Sequence, residues 1–240
     1  MAGIFKNKVV MITGAAGNLG KAVTAKFASE GAKLVLVDGK KEYLDSAVQA
    51  LGLKRGSYLL ATGDLGKPAD ADKVVRATEK RFQHIDTLVH TVGGFAMGDP
   101  VHTAELSVFE KMMYLNAQVT FVMCGRVAKH MVDNNISGSI VAVLARSGLK
   151  GAKNMAAYTA SKAAAERIIQ SMAEELKDAN IRVNGIMPST IDTPINRKDM
   201  PNADFSKWVT PQQLADVLAY LSSDSASAIT GDSVAVYNKV

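Results

Sequence analysis

The stretch "VVMITGAAGNLGKAV", Val9 to Val23, constrains the chain more than any other. Its first five residues read as a buried strand, and an amphipathic pattern starting at Asn18 reads as a helix. Between and just inside them stand Gly14, Gly17 and Gly20. A strand passed into a helix through glycines lets backbone approach a pyrophosphate, whose charge is met by N–H groups and by the positive helix end. Gly14, Gly17, Asn18, Leu19 and Gly20 form the expected phosphate loop. Asp38 ends the next apolar run, 18 positions beyond Gly20. A carboxylate there accepts hydrogen bonds from ribose hydroxyls and repels an additional phosphate, so NAD(H) is the preferred cofactor. Lys40 and Lys41 keep NADP(H) in play, since a swung-in lysine can serve that phosphate.

This unit opens a regular alternation. Strands are expected at Val9 to Thr13, Lys33 to Asp38, Ser57 to Thr62, Asp86 to Thr91, Gly138 to Leu144, Ile181 to Met187 and Ser233 to Tyr237. Helical patterns between them include Asn18 to Glu30, Pro68 to Phe82, Asn116 to Val132, Met155 to Lys177 and Pro211 to Ser222. The last carries its own start signal: Thr210 can cap, Pro211 suits the first helical position, and Gln213 can reach back. Such alternation predicts an α/β fold, a doubly wound seven-stranded parallel sheet with helices on both faces. The 240 residues show no Pro/Ser-rich linker, so one domain over 1–240 is expected.

Charge and composition narrow the partners. The net charge of +5 comes from scattered lysines rather than a basic stripe, which argues against nucleic acid. The chain has no apolar run long enough for a membrane span, so a cytoplasmic enzyme acting on a small molecule is expected. The single cysteine, Cys124, lies in the apolar run "VTFVMCGRVA" and reads as a buried small hydrophobe. No metal site is expected.

Tyr158 and Lys162, in "AAYTASK", stand four apart at the start of a long helix and share one face. A free tyrosine, with a pKa near 10, exchanges protons poorly at neutral pH, whereas a neighbouring ammonium favours its phenolate. Alone, the pair reads as two surface side chains. Behind a glycine loop it reads as acid–base machinery.

With these motifs in hand, the chain resembles the short-chain dehydrogenase/reductase family, from "TGAAGNLG" to "SDSASAITG". The resemblance implies a seven-stranded Rossmann sheet and a homodimer or homotetramer. It further implies that Tyr158 exchanges a proton with substrate while nicotinamide exchanges a hydride, and that Lys162 lowers the tyrosine pKa and holds the nicotinamide ribose. It makes Asn116 the support of a proton-relay water. Asp64 with Leu65 would meet the adenine, Gly93 would line the cofactor site, and Pro188, Ile191 and Thr193 would lie along the nicotinamide carboxamide.

Three departures from the family pattern stand out. Asn18 occupies the middle glycine position, where its tolerance of positive φ is expected to preserve the loop. The usual "NNAG" reads His90, Thr91, Val92, Gly93. The catalytic serine position, 13 before the tyrosine, is Ala145. Ser147 could act in its stead, because a shift of two keeps a side chain on one face of an extended strand. Gly148 and Gly151 align with family glycines without a gap, however, which favours a real loss. Alanine here, with "VGGF" and the block Ile191 to Trp208, also resembles the dihydropteridine reductases, which reduce a quinonoid pterin with NADH. Reduction of a 3-oxoacyl or other small carbonyl competes with that reading, as does a nucleotide-binding regulator whose catalysis has decayed. The block itself is either a lid, with Phe205 and Trp208 on a flat ring and Arg197 or Lys198 near phosphate, or a loop pinned by its own aromatics.

Overall fold

The alternation resolves into one sheet of seven parallel strands in the order β3-β2-β1-β4-β5-β6-β7. In this computed structural model residues 3–240 are described, so the first two residues of the expected domain lie outside them. The strands are β1 (Val9–Thr13), β2 (Lys33–Asp38), β3 (Tyr58–Thr62), β4 (Thr87–His90), β5 (Ser139–Val143), β6 (Arg182–Pro188) and β7 (Ser233–Val236). Every expected strand is present, with ends shifted by at most one residue.

Side-chain alternation along β1 shows why both faces are covered. Val9 and Met11 enter one core with Val74 of α3 (Pro68–Phe82), Met123 of α5 (Val119–Asp133) and Ile169 of α6 (Ala156–Leu176). Val10 and Ile12 enter the other with Phe27 of α1 (Asn18–Ser29), Leu44 of α2 (Lys41–Ala50) and Leu218 of α8 (Pro211–Ser222). Each fully buried aliphatic side chain contributes roughly 1.5–3 kcal/mol, enough for the two cores to pin the sheet between its helical layers. The expected cap of α8 forms: Gln213 N donates to Thr210 Oγ1 at 3.2 Å, and Thr210 N donates to Gln213 Oε1 at 2.9 Å. Cys124 is wholly buried, and desolvation pushes its thiol up to about 12.

Two expectations need correction. The helix expected to begin at Asn116 begins at Leu106 and runs as α4 (Leu106–Met112), a π-helical turn (Met113–Gln118) and then α5. The extra residue per π turn changes the angular phase of the side chains, which a 3.6-residue pattern cannot reveal. Asn18 does not use positive φ either; it is the first residue of α1, and Gly14 takes the left-handed conformation at φ +69°. The tolerance of asparagine therefore has a simpler cause, the helical geometry open to any residue there.

Strand order reverses between β1 and β4, so the chain leaves the two carboxyl ends in opposite directions and a crevice opens between them. α7 (Pro194–Asp199) and the segment to Trp208 lie beyond the carboxyl end of β6. Among the described residues no helix is long and apolar enough to cross a membrane.

Candidate active site

The crevice is a cleft of about 590 Å³ walled by Gly14, Gly17, Asp38, Asp64, Leu65, Gly93 and Tyr114, among others. Its glycines are there for room and conformation. A β-carbon on Gly20 would lie 2.0 Å from the Gly14 carbonyl oxygen, so α1 can lie this close to the loop only with glycine at that position. No side chain caps α1, and its first-turn N–H groups remain available to an anion. Asp38 Oδ2 accepts from Ala16 N at 3.0 Å and Oδ1 from Gly39 N at 2.8 Å. The carboxylate thus ties the glycine loop to the end of β2. A glycine-rich, anion-receptive loop beside a fixed carboxylate fits a dinucleotide.

At the other side of the cleft the first turns of α6 carry Tyr158 and Lys162. Lys162 is buried, and its Nζ donates to the Val143 carbonyl at 3.0 Å. Asn116, on the π turn, accepts from Gly94 N at Oδ1 (2.9 Å) and donates through Nδ2 to Gly94 O and Ser161 Oγ, each at 3.0 Å. Ser161 Oγ in turn donates to the Tyr158 carbonyl at 2.8 Å. A β-carbon on Gly93 would stand 2.8 Å from Asn116 Oδ1 and 3.1 Å from Lys162 Nζ. Gly93, Asn116 and Lys162 therefore converge on one spot, with Tyr158 tied in through Ser161.

Electrostatics differ from the expected tuning. Burial pushes the Tyr158 phenol up to about 12 and the Lys162 ammonium down to about 8. Desolvation disfavours each charged form and is the cause of both shifts. His90, in the altered "NNAG" segment, is fully buried with Nδ1 2.9 Å from Thr13 Oγ1. Burial, aided by the Lys162 charge, lowers its pKa to about 3, so it is a neutral bridge between β1 and β4.

Ala145 is buried just past the end of β5, while Ser147 lies in the following 3₁₀ turn, half-buried. Phe95, 64% exposed, sets its ring against Tyr158, with centroids 4.9 Å apart and planes at 77°. Thr193 caps α7, accepting from Asn196 N at 3.2 Å, Ile191 bridges to Val209, and Pro188 ends β6. In the block to Trp208 the structural reading prevails for most side chains. Trp208 is buried and leans on Phe205 at 4.8 Å, and Arg197 is paired with Asp192 at 2.5 and 2.8 Å. Among the described residues there is no cluster of three or more metal-ligating His, Cys, Asp or Glu side chains.

Sequence reasoning missed Tyr114, Gly94, Phe95 and Ser161. Gly94 and Phe95 carried a signal, in "VGGF"; Tyr114 and Ser161 depend on the π turn and on contacts distant in sequence.

The family model described as short chain dehydrogenase matches residues 8–204. The chain belongs to the short-chain dehydrogenase family. It is 32% identical over 242 residues to a 3-oxoacyl-(acyl-carrier-protein) reductase of Thermotoga maritima, covering 96% of both chains. Its structure matches a crystal structure of levodione reductase with a TM-score of 0.90 at 27% identity, over 98% of this chain and 97% of the other. It also matches the 3-ketoacyl-(acyl-carrier-protein) reductase of Brucella melitensis complexed with NADH, with a TM-score of 0.88 at 27% identity, over 98% of this chain and 100% of that one. The fold is thus that of the NAD(P)-dependent short-chain oxidoreductases, and the protein is an enzyme of that class.

Proposed function

We propose that the protein is an NAD(H)-dependent oxidoreductase acting on a small carbonyl, alcohol or quinonoid substrate, with Tyr158 exchanging the proton. The observation that carries this is the convergence of Gly93, Asn116 and Lys162 on one spot at the wall of the glycine cleft, one helical turn along α6 from Tyr158. The nicotinamide supplies or accepts the hydride. Gly14, Gly17, Asn18, Leu19 and Gly20 receive its pyrophosphate, Asp38 the adenosine ribose, and Asp64 with Leu65 the adenine. Gly93, Lys162, Pro188, Ile191 and Thr193 hold the nicotinamide half. The similar Brucella melitensis reductase complexed with NADH supports this cofactor, and the Asp38 carboxylate favours NAD over NADP.

Tyr158, pushed up to about 12, holds its proton at neutral pH and serves reduction as donor. Lys162, near 8, is largely cationic at pH 7 and steadies negative charge that develops beside it. Asn116 fixes the Gly94 backbone and, through Ser161, the first turn of α6. The same reading takes the chain as one domain forming a cytoplasmic homodimer or homotetramer.

Substrate choice turns on Ala145. Losing one placed donor to an oxyanion costs on the order of 10²- to 10³-fold in rate. A substrate that develops charge elsewhere, or is protonated on nitrogen, escapes that cost. The buried Ala145 methyl and the exposed Phe95 ring at Tyr158 favour a flat, conjugated substrate such as a quinonoid pterin as the second, narrower reading.

Steady-state assays with NADH test both levels. Tyr158→Phe is expected to lower kcat at least about 10²-fold on the accepted substrate, and near wild-type turnover would sink the proton role. Quinonoid dihydropterin turnover without ketone turnover selects the pterin reading, and the reverse pattern selects 3-oxoacyl or related carbonyls. Tight NADH binding without turnover on any of them turns the assignment to a nucleotide-binding regulator.

A further inference from the structure

The π turn touches both halves of the cleft. Asn116 reaches Gly94 beside Tyr158, whereas Tyr114, two residues earlier, points to the end of β3. Its hydroxyl donates to Asp64 Oδ1 at 2.5 Å, and Gln118 Nε2, on the same turn, donates to the Gly66 carbonyl at 3.1 Å. A β-carbon on Gly66 would lie 2.6 Å from the Tyr114 ring, so glycine there lets the ring reach the carboxylate.

Topology says which part of a dinucleotide meets Asp64. The glycine turn follows β1 at the middle of the sheet, and Tyr158 follows β5 on one side. A ligand with its pyrophosphate on the turn and its reacting ring at Tyr158 must lay its other half over β2 and β3. Asp38 ends β2 and Asp64 follows β3, and both wall the same cleft. An amino-bearing purine arriving there needs an acceptor, and a carboxylate with about four lone-pair sites keeps acceptor capacity beyond its Tyr114, Gly66 and Lys67 contacts.

We propose that Tyr114 is a positioning residue for cofactor binding: its hydroxyl fixes the Asp64 carboxylate so that the carboxylate receives the adenine amino group. This rests on the dinucleotide reading above. The surroundings agree. Gly66 N donates to Asp64 Oδ1 at 3.3 Å, Lys67 Nζ lies 3.4 Å from Oδ2, and Asp70 accepts from Asp64 N at 3.1 Å while paired with Lys73. The Tyr114 hydrogen bond is the leading cause holding the Asp64 carboxyl below the usual carboxylate range, and Asp64 in turn pushes the phenol up to about 12. The carboxylate therefore stays ionised and oriented across the neutral range.

Isothermal titration of the whole protein with ADP-ribose and, separately, with reduced nicotinamide mononucleotide tests the assignment. The Tyr114 hydrogen bond is there with or without ligand, so only the lost pre-orientation of Asp64 reaches the binding, and Tyr114→Phe is expected to weaken ADP-ribose about three- to tenfold. The mononucleotide Kd is expected to stay within about twofold. Without the hydroxyl Asp64 protonates at higher pH, so the acid-side loss of ADP-ribose binding moves up in pH. In an Asp64→Asn background the second substitution adds nothing. Unchanged ADP-ribose affinity overturns the Tyr114 role alone, as does an equal loss for both probes, the mark of a general structural defect. Wild-type protein that binds neither ADP-ribose nor NADH overturns the dinucleotide reading and this proposal together.

Discussion

Lys162 shows how a single residue carries opposite demands. Its ammonium is buried on α6 with the Val143 carbonyl as acceptor, and desolvation lowers it from 10.5 to about 8. Below pH 8 the native protein pays to keep a buried cation. Between about 8 and 10.5 the unfolded chain binds the additional proton, so this group's contribution to stability rises with pH. Lys162→Met lacks that titration. The stability of wild type relative to the variant is therefore expected to rise by about 3 kcal/mol from pH 8 to pH 10.5. Urea unfolding of both proteins at several pH values reads the difference directly, and the high-pH titration of Tyr158 cancels from it. A flat difference would mean that Lys162 is better hydrated than its burial indicates. A buried charge of this kind, without a counter-ion, is retained where function needs it, at the expense of stability.

The π turn is the element that ties the site together. Thr120, buried on the first turn of α5, donates from Oγ1 to the Asn116 carbonyl at 2.6 Å. This hydroxyl ties the end of the π turn to the first turn of α5. Thr120→Val keeps the shape and removes the donor. It is expected to destabilise the protein by about 0.5–1.5 kcal/mol, the net worth of one hydrogen bond. It should also lower kcat with little change in the KM for cofactor, because it loosens Asn116 rather than the glycine loop. Thermal unfolding with steady-state kinetics checks both parts; a raised KM with kcat intact would place the turn's role in binding. This element was the least legible in the sequence. The strands and α1, α3 and α8 announced themselves through apolar runs, glycine and proline signals and capping residues, all local. Asn116 was recognisable by resemblance, but its setting was not. The π turn exists because Tyr114, Leu115, Asn116 and Gln118 find partners at Asp64, Gly94 and Gly66, dozens of residues away. Likewise the Tyr158–Lys162 pair was visible as a spacing, whereas the outcome of its electrostatics depended on a burial that spacing does not encode.

At the scale of the whole molecule, the crevice is open because the strand order reverses at β1 and β4, so the chain leaves their carboxyl ends toward opposite sides of the sheet. A ligand that fills the crevice bonds to both halves and to the glycine loop at once, and it binds only the folded state. Ligand at 100 times its Kd adds about 2.7 kcal/mol to stability. For a chain of this size each kcal/mol raises Tm by about 2–4 °C, so NADH at that excess is expected to raise Tm by about 5–10 °C. Asp38 decides the companion measurement. Both its oxygens are engaged, by Ala16 N and Gly39 N, so the carboxylate cannot swing away from an incoming 2′-phosphate without releasing the glycine loop. Lys40, the nearest compensating cation in sequence, is drawn toward the Tyr43 ring, its Nζ 5.5 Å from the centroid. NADPH at the same concentration is therefore expected to raise Tm by no more than about half as much as NADH. Differential scanning fluorimetry with both cofactors makes the comparison. An equal or larger shift with NADPH would show that Lys40 leaves the Tyr43 ring, or Lys41 its ion pair with Asp45, to neutralise the phosphate, and would reverse the cofactor preference argued from Asp38.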